Sequence, residues 1–150
     1  MSKFYVGVKI VFAWPEERVD GELREQGYHV RYEDGYESWS PKNVFEAAYL
    51  PMGESNNNTV TEQMVDLLTG KEWDATDMPD GKTTLVGCKT ASGFMMYDTS
   101  SCVDPKKYDS ILGSKIALER IKDKLWALLG FVVQWGRYGI NTKIGLNKEV

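Results

Sequence analysis

The stretch VGCKTASGFMMYDTSSCVDP, residues 86–105, predicts a β-hairpin that leads directly into a helix. The apolar run TTLVGCKT begins at Thr83, and FMMYDT follows the turn-forming dipeptide Ser92-Gly93. Asp104-Pro105 then combines a good capping residue with a proline at the first helical position, which is typical of a helix start. The longest helix of the chain is therefore expected to begin at Pro105.

The segment after this start predicts one long helix with a continuous apolar stripe. Large apolar residues recur there at the intervals of a helix that packs on one face, namely Ile111, Leu118, Ile121, Leu125, Leu128 and Val132. Hairpins combined with such a helix predict the α+β class, in which antiparallel β-hairpins form a small sheet packed against the long C-terminal helix.

Residues 28–39 predict another hairpin, nearer the N-terminus. Two alternating segments flank Asp34-Gly35, which readily supplies both positive φ angles of a type I′ turn. The β-rich run at residues 3–13 would be interrupted by Trp14-Pro15. The polar segment EERVDGELREQG, residues 16–27, predicts a loop.

Two short helices are expected after this hairpin. Ser40-Pro41 predicts the start of the first, and Pro51 would end it. Thr59 and Glu62 have the spacing of a capping box and predict a second helix that ends before Gly70.

The remaining segments define the expected domain organisation. WDATDMPDG, residues 73–81, predicts an acidic loop, and PMGESNNN, residues 51–58, predicts an exposed linker. We expect residues 1–150 to form a single compact domain. It would combine an N-terminal module of hairpin and short helix, 1–52, with a module of helix, hairpin and long helix, 59–150.

Composition and charge exclude several classes of function. A net charge of −4 argues against a polynucleotide-binding protein, which would carry a basic stripe. The longest apolar stretch, residues 125–133, is too short for a membrane span, and we expect no secretory leader at Met1. Cys88, Cys102 and the single His29 lack the spacing of metal ligands, so we expect free thiols, no metal and no cofactor.

The sequence favours a binding protein over an enzyme. It contains one histidine and no GxSxG, HExxH or glycine-rich phosphate motif, so no catalytic residue is assigned. Phe94 beside a helix start could stack a base, and Arg31 and Arg120 are candidate phosphate contacts. Each of these residues also has an ordinary structural interpretation. Phe94 could be strand core, the arginines could lie on solvated faces, and Asp104 could be a plain helix cap.

Two segments resemble phage proteins. YVGVKIVFAWPEE through GYHVRYEDGYESWSPKNVFEAAYLP resembles an N-terminal module of small tailed-phage proteins. TTLVGCKTASGFMMYDTSSCVDPKKYDSILGSKIALERIKDKLWALLGF resembles the phage gene-forty-nine-like family. The combination is similar to the first class of Thoeris anti-defence proteins, which sequester cyclic ADP-ribose immune signals without cleaving them.

This resemblance implies a ligand, an assembly and a set of contacts. The ligand would be a cyclic ADP-ribose isomer, or a cyclic di- or trinucleotide, held by a homo-oligomer between a dimer and a hexamer in the host bacterial cytoplasm. The stacking aromatic would fall on Phe94, the polar contact before the proline on Asp104, and the arginines on Arg31 and Arg120. Asp104 departs from the pattern, because an aspartate repels phosphate where an asparagine would donate a hydrogen bond.

A protein partner is the alternative. In that case the chain would block a bacterial defence enzyme by direct contact, with Trp39, Tyr36 and Tyr49 as exposed anchors. Neither hypothesis involves a membrane or a polynucleotide.

Overall fold

The computed structural model describes residues 1–54 and 58–140. Within them lie two antiparallel three-stranded sheets, ordered β1-β2-β3 and β4-β5-β6, and a long C-terminal helix. The prediction of the α+β class is confirmed. The elements are β1 Phe12–Asp20, β2 Leu23–Arg31, β3 Glu37–Pro41, α1 Lys42–Ala48, α2 Glu62–Thr69, β4 Glu72–Asp77, β5 Thr83–Lys89, β6 Met95–Ser101, a 3₁₀ turn Pro105–Lys107 and α3 Ser110–Tyr138.

The chain divides into two compact units. The first contains residues 1–59 and the chain from Val132 onward, and the second contains residues 60–131. No helix in the described part of the chain is long and apolar enough to cross a membrane.

The first sheet begins with a hairpin where a loop was expected. β1 and β2 pair from Phe12↔Arg31 to Asp20↔Leu23, so the loop prediction for residues 16–27 is wrong. The hairpin escapes detection because most side chains between residues 16 and 27 are polar and exposed. Pro15 is tolerated within β1 because this strand lies at the sheet edge, where a missing N–H need not break the ladder. Residues 1–11, in contrast, have no regular secondary structure, so the predicted strand at 3–13 is also largely wrong.

The hairpin around Asp34-Gly35 is confirmed, with a different turn. β2 and β3 pair from Gly27↔Pro41 to Arg31↔Glu37. Tyr32 N–H donates to the Tyr36 carbonyl at 2.8 Å, and Gly35 alone has a positive φ, of 86°. A type I′ turn would need positive φ at two residues, so the loop instead places its glycine in the left-handed position that follows a tight turn.

The short helix packs on one face of this sheet. Tyr28 of β2 stacks on Phe45 of α1 with ring centroids 4.3 Å apart, and Val30 beside it is buried. Ser40 is not the cap that the sequence predicted, because it lies in β3 opposite Tyr28 and Pro41 takes the N-cap position.

The second unit starts with α2 and β4. Thr61, not Thr59, caps α2 by accepting a hydrogen bond from Met64 N–H at 3.3 Å, and Gly70 ends the helix with φ 72°. β4 occupies most of the predicted acidic loop at 73–81, so that prediction is wrong. All residues of this edge strand are exposed, which explains why it lacks an apolar signature.

The predicted hairpin of β5 and β6 is confirmed, and α3 packs on one of its faces. The start of α3 differs from the prediction. Asp104 caps only the 3₁₀ turn, through Lys106 N–H at 3.0 Å. The cap of α3 is Asp109, which accepts hydrogen bonds from Ile111 N–H at 2.9 Å and Leu112 N–H at 3.1 Å.

The residues that α3 buries match the predicted apolar stripe only in part. Ile121 and Leu125 are buried as expected, but Ile111 and Leu128 are 70% and 48% exposed. Small residues of α3 allow the helix to lie close to the sheet. At Gly113, for example, a Cβ would lie only 2.6 Å from Thr84 Oγ1 of β5. The buried residues in this core include Met64, Val65, Thr84, Val86, Cys88, Met96, Ala117, Ile121, Leu125 and Leu129.

Candidate functional site

The tip of the β5–β6 hairpin holds Phe94 in an exposed position. Thr90 N–H and Thr90 Oγ1 both donate to the Phe94 carbonyl, at 3.0 and 2.8 Å, and Gly93 N–H donates to the Thr90 carbonyl at 2.8 Å. Gly93 has φ 86°, a conformation that glycine adopts without strain. The ring of Phe94 is 68% exposed, so it is not part of the core. An exposed aromatic side chain on a hydrogen-bonded hairpin tip can stack on a planar ligand.

An open depression of about 360 Å³ lies beside this tip. Its volume is at the small end of the range for ligand pockets. Its wall is partly backbone: Ala91 N–H donates to the Leu68 carbonyl at 2.8 Å, which ties the hairpin tip to the end of α2. The lining residues are Gly70, Lys71, Glu72, Lys89, Thr90, Ala91, Ser92 and Gly93.

Two lysines supply the positive charge of the depression. Lys71 makes no ion pair with a described residue, whereas Lys89 Nζ lies 3.4 Å from Glu72. Lys89 shares the open face of the sheet with its partner Met95, while Phe94 lies opposite Thr90 on the other face. A ligand that uses both Phe94 and a lysine would therefore wrap around the hairpin tip. The C-terminal end of α2 carries partial negative charge, which Lys71 offsets.

Arg120 lies elsewhere on the hairpin. Its Nη1 donates to the Thr99 carbonyl at 2.6 Å, and Lys124 Nζ donates to the Tyr97 carbonyl at 3.1 Å. Lys124 also lies 2.8 Å from Asp98, and this hydrogen bond lowers the pKa of the Asp98 carboxyl. Thr99 is five residues from Phe94, a distance of about 17 Å along an extended strand.

Asp104 also lies apart from Phe94. Asp104 follows the far end of β6, so the length of the strand, over about 20 Å, separates it from Phe94. Arg31 belongs to the first unit, where its Nε donates to Glu37 at 2.7 Å and its guanidinium lies 5.3 Å from the Trp14 ring. Within the second unit, Phe94, Arg120 and Asp104 do not converge on one site. Their roles as ligand contacts stay predictions.

A polar cluster joins the base of the same hairpin to the segment before α3. Tyr108 donates to Asp77 at 2.6 Å and lies 2.6 Å from the Thr84 hydroxyl. The hydrogen bond to Asp77 raises the pKa of the Tyr108 phenol. This cluster ties three segments of the second unit together. Among the described residues no group of three or more His, Cys, Asp or Glu side chains is arranged to hold a metal ion.

Both cysteines are free thiols. Cys88 is buried in the core, where its Sγ lies 3.3 Å from the Thr69 carbonyl, and burial raises its pKa. Cys102 is partly exposed and lies 3.2 Å from the Asp104 carbonyl. The stretch 86–105 is thus a hairpin with one packed and one accessible thiol.

The lysines of the depression were missed by the sequence reasoning. Lys89 had a usable signal, because a hairpin with its turn at Ser92-Gly93 places it opposite Met95. Lys71 had none, since its position depends on how α2 packs against the hairpin.

No curated protein and no solved structure shows significant similarity to the chain. One family model matches residues 43–135, which is more than half of the sequence. The match includes α1 except Lys42, α2, all of the second sheet and most of α3, and it excludes the first sheet. The chain therefore belongs to the phage protein family described as N4 Gp49/phage Sf6 gene 66.

Proposed function

We propose that this phage protein is an anti-defence protein that binds and sequesters a cyclic nucleotide immune signal without cleaving it. The signal would be a cyclic ADP-ribose isomer or a cyclic di- or trinucleotide. The observation that carries the proposal is the exposed Phe94 at a hydrogen-bonded hairpin tip, beside a depression with Lys71 and Lys89 on its rim. An aromatic ring and nearby cations are the groups that a base and its phosphates require.

The energetics favour a site completed by a second copy of the chain. Nanomolar binding corresponds to about −12 kcal/mol. One stacked base and two charge-assisted hydrogen bonds supply at most about 9 kcal/mol, before the cost of ordering the ligand. We therefore propose a homo-oligomer, between a dimer and a hexamer, whose copies contribute further contacts.

The state of the single histidine argues against cleavage that uses an imidazole base. Both ring nitrogens of His29 face carboxylates, with Nδ1 3.2 Å from Glu16 and Nε2 2.9 Å from Glu37. An imidazole that is occupied on both sides is not free to act as a general base.

Calorimetric titration with cyclic ADP-ribose isomers and a panel of cyclic di- and trinucleotides tests the proposal. We expect tight binding of one signal, and its intact recovery after the protein is heat-denatured. An altered product would indicate an enzyme instead, and no depletion of any signal would refute the sponge.

Variants locate the site. Phe94→Ala and Lys71→Ala should each weaken binding at least tenfold, while Phe12→Ala in the first unit and Lys106→Ala beyond the far end of β6 serve as matched controls on exposed residues. Unchanged binding by both test variants would reject the hairpin-tip site. Loss of binding in Arg120→Ala and Asp104→Ala instead, with native folding, would favour the contacts implied by the resemblance.

A further inference from the structure

Residues 3–7, KFYVG, have the composition of a strand but belong to no sheet in the described structure. Phe4, Tyr5 and Val6 are aromatic or β-branched, as is typical of strands, and each is at least 82% exposed. The backbone N–H and C=O groups of these five residues make no hydrogen bond to any residue that the structure describes. We call residues 3–7 the apolar segment. An extended segment of this kind can satisfy its backbone by adding to the edge of a sheet.

The outer edge of β4 is open to such a strand. Met78 N–H donates to the Thr83 carbonyl at 2.8 Å, which fixes the hydrogen-bonding register of β4 and β5. Backbone groups of an antiparallel strand alternate in direction, so Trp73, Ala75 and Asp77 point their N–H and C=O groups away from β5. No described residue hydrogen-bonds to these backbone groups, and all six residues of β4 are exposed. β4 therefore offers a row of donors and acceptors to a further strand.

The other edges of the two described sheets are less able to accept a strand. On β6, the outward carbonyls of Tyr97 and Thr99 already accept hydrogen bonds from side chains of α3. On β1, Pro15 lacks the N–H that a neighbouring strand would need. β3 has five residues against the six of β4 and runs directly into α1. Backbone geometry therefore favours β4.

The apolar residues set the register of the pairing. Trp73 and Ala75 lie opposite residues of β5 that are buried in the core, so their side chains are on the helix-covered face of the sheet. Trp73 is nevertheless 44% exposed, since β4 is the last strand of the sheet. Phe4 and Val6 are two residues apart, so an added strand can place both on this same face. Apolar side chains that meet across neighbouring strands stabilise a sheet.

The charges agree with this register. Two carboxylates of β4 already have partners, because Glu72 lies 3.4 Å from Lys89 and Asp77 accepts a hydrogen bond on the helix-covered face. Asp74, on the open face, makes no ion pair with any described residue. Lys3 also makes no ion pair with a described residue, and the apolar segment contains no carboxylate. The register given by the apolar residues places Lys3 on the open face, where Asp74 lies.

We propose that the apolar segment of one copy of the chain adds as a strand to the outer edge of β4 in a second copy. Five extended residues span about 17 Å, which β4 can accommodate. The partner is a second copy because the chain itself contains both complementary parts. This inference rests on the homo-oligomer of the proposed function and names the parts that join its copies. Glu72 also lines the depression, so the added strand would lie beside the proposed nucleotide site.

Sedimentation velocity over a range of protein concentrations, without nucleotide, tests the pairing. We expect the wild type to self-associate and Ala75→Pro to raise the dissociation constant at least tenfold, because the variant lacks an outward N–H. The sheet should tolerate this proline, since Pro15 occupies an edge strand of the first sheet. Val19→Pro, four residues from Pro15 on the same strand, is the matched control. The proposal is overturned by a wild type that stays monomeric, even through pairing within one chain, or by an Ala75→Pro variant that associates normally.

A charge exchange tests the same pairing without depending on the proline variant. Lys3→Asp and Asp74→Lys should each weaken association, and the double variant should recover most of it, because opposite charges then face each other again. Phe4→Ala should weaken association about tenfold, and Phe12→Ala, at another exposed phenylalanine, should not. A double variant without recovery, or equal effects of the two alanine variants, would overturn the proposal. Because no nucleotide is present, failure here leaves the calorimetric test of sequestration unaffected, so the two proposals can fail separately.

Discussion

The guanidinium of Arg120 donates a 2.6 Å hydrogen bond to the backbone carbonyl of Thr99 on β6. Lys124 makes the same kind of contact, at 3.1 Å, with the carbonyl of Tyr97. β6 is an edge strand, and the unpaired carbonyls of an edge strand can template pairing with another chain. Two cations of α3 therefore hold the helix against this edge and occupy its acceptors.

Arg120→Ala is expected to lower the free energy of unfolding by about 1 kcal/mol, because it removes a charge-assisted hydrogen bond from an exposed edge. It should also increase self-association, which light scattering at rising protein concentration measures. Lys115→Ala, on an exposed position of the same helix, is the control for urea unfolding. A variant as stable and as monodisperse as the control would show that the contact with Thr99 has no structural role.

The ring of His29 is expected to stay protonated at pH values somewhat above the ordinary pKa of histidine. The hydrogen bond to Glu37 is the main cause of its raised pKa, and Glu16 adds to it. The stability from this raised pKa is fully present below 6.5, the ordinary value, and is lost as pH rises through the higher folded value. Because the chain has one histidine, its ring signals in an NMR titration report this pKa without ambiguity.

Urea unfolding across the same pH range should show wild-type stability falling above pH 6.5, with a smaller fall in Glu37→Gln. A histidine that titrates at or below 6.5 in the folded protein would contradict the arrangement.

The parts of the fold that were predictable are those with local signals. Ser92-Gly93 and Asp34-Gly35 mark their hairpins, because turn residues act through their own backbone preferences. β1 and β4 were missed for the opposite reason: they are exposed edge strands whose polar side chains carry no alternating apolar pattern. Their existence is decided by pairing with β2 and β5, which a local pattern does not encode.

The residues of the candidate site were likewise predictable only where a local sequence signal marks them. Phe94 was identified because a hairpin turn precedes it, whereas Lys71 reaches the depression beside the tip only through the packing of α2. The stripe on α3 was misjudged because Gly113 and Ala117, not the large apolar residues, set how closely the helix approaches the sheet.

Two glycine substitutions should have opposite effects on stability. Gly27→Ala would place a methyl group against the Trp39 ring and the Ser40 carbonyl, so we expect a loss of about 1–3 kcal/mol from overpacking. Gly130→Ala, in α3 with nothing within 4 Å of its Cβ, should gain up to about 1 kcal/mol from helix propensity. Urea denaturation of both variants measures the difference. A neutral Gly27→Ala would contradict this close packing, because it would mean that the Trp39 ring moves aside without cost.

The two thiols should differ in reactivity with a thiol reagent such as DTNB. Cys102 is partly exposed, whereas Cys88 is buried and its pKa is raised, so little of its reactive thiolate forms near neutral pH. We expect one thiol to react rapidly in the native protein and the second only when the second unit unfolds. Cys102→Ser should remove the rapid phase and leave the slow one, and the slow rate should rise with urea in parallel with unfolding. Two rapid phases in the native protein would show that the hairpin and α3 separate readily, because Cys88 lies in the core between β5 and the helices.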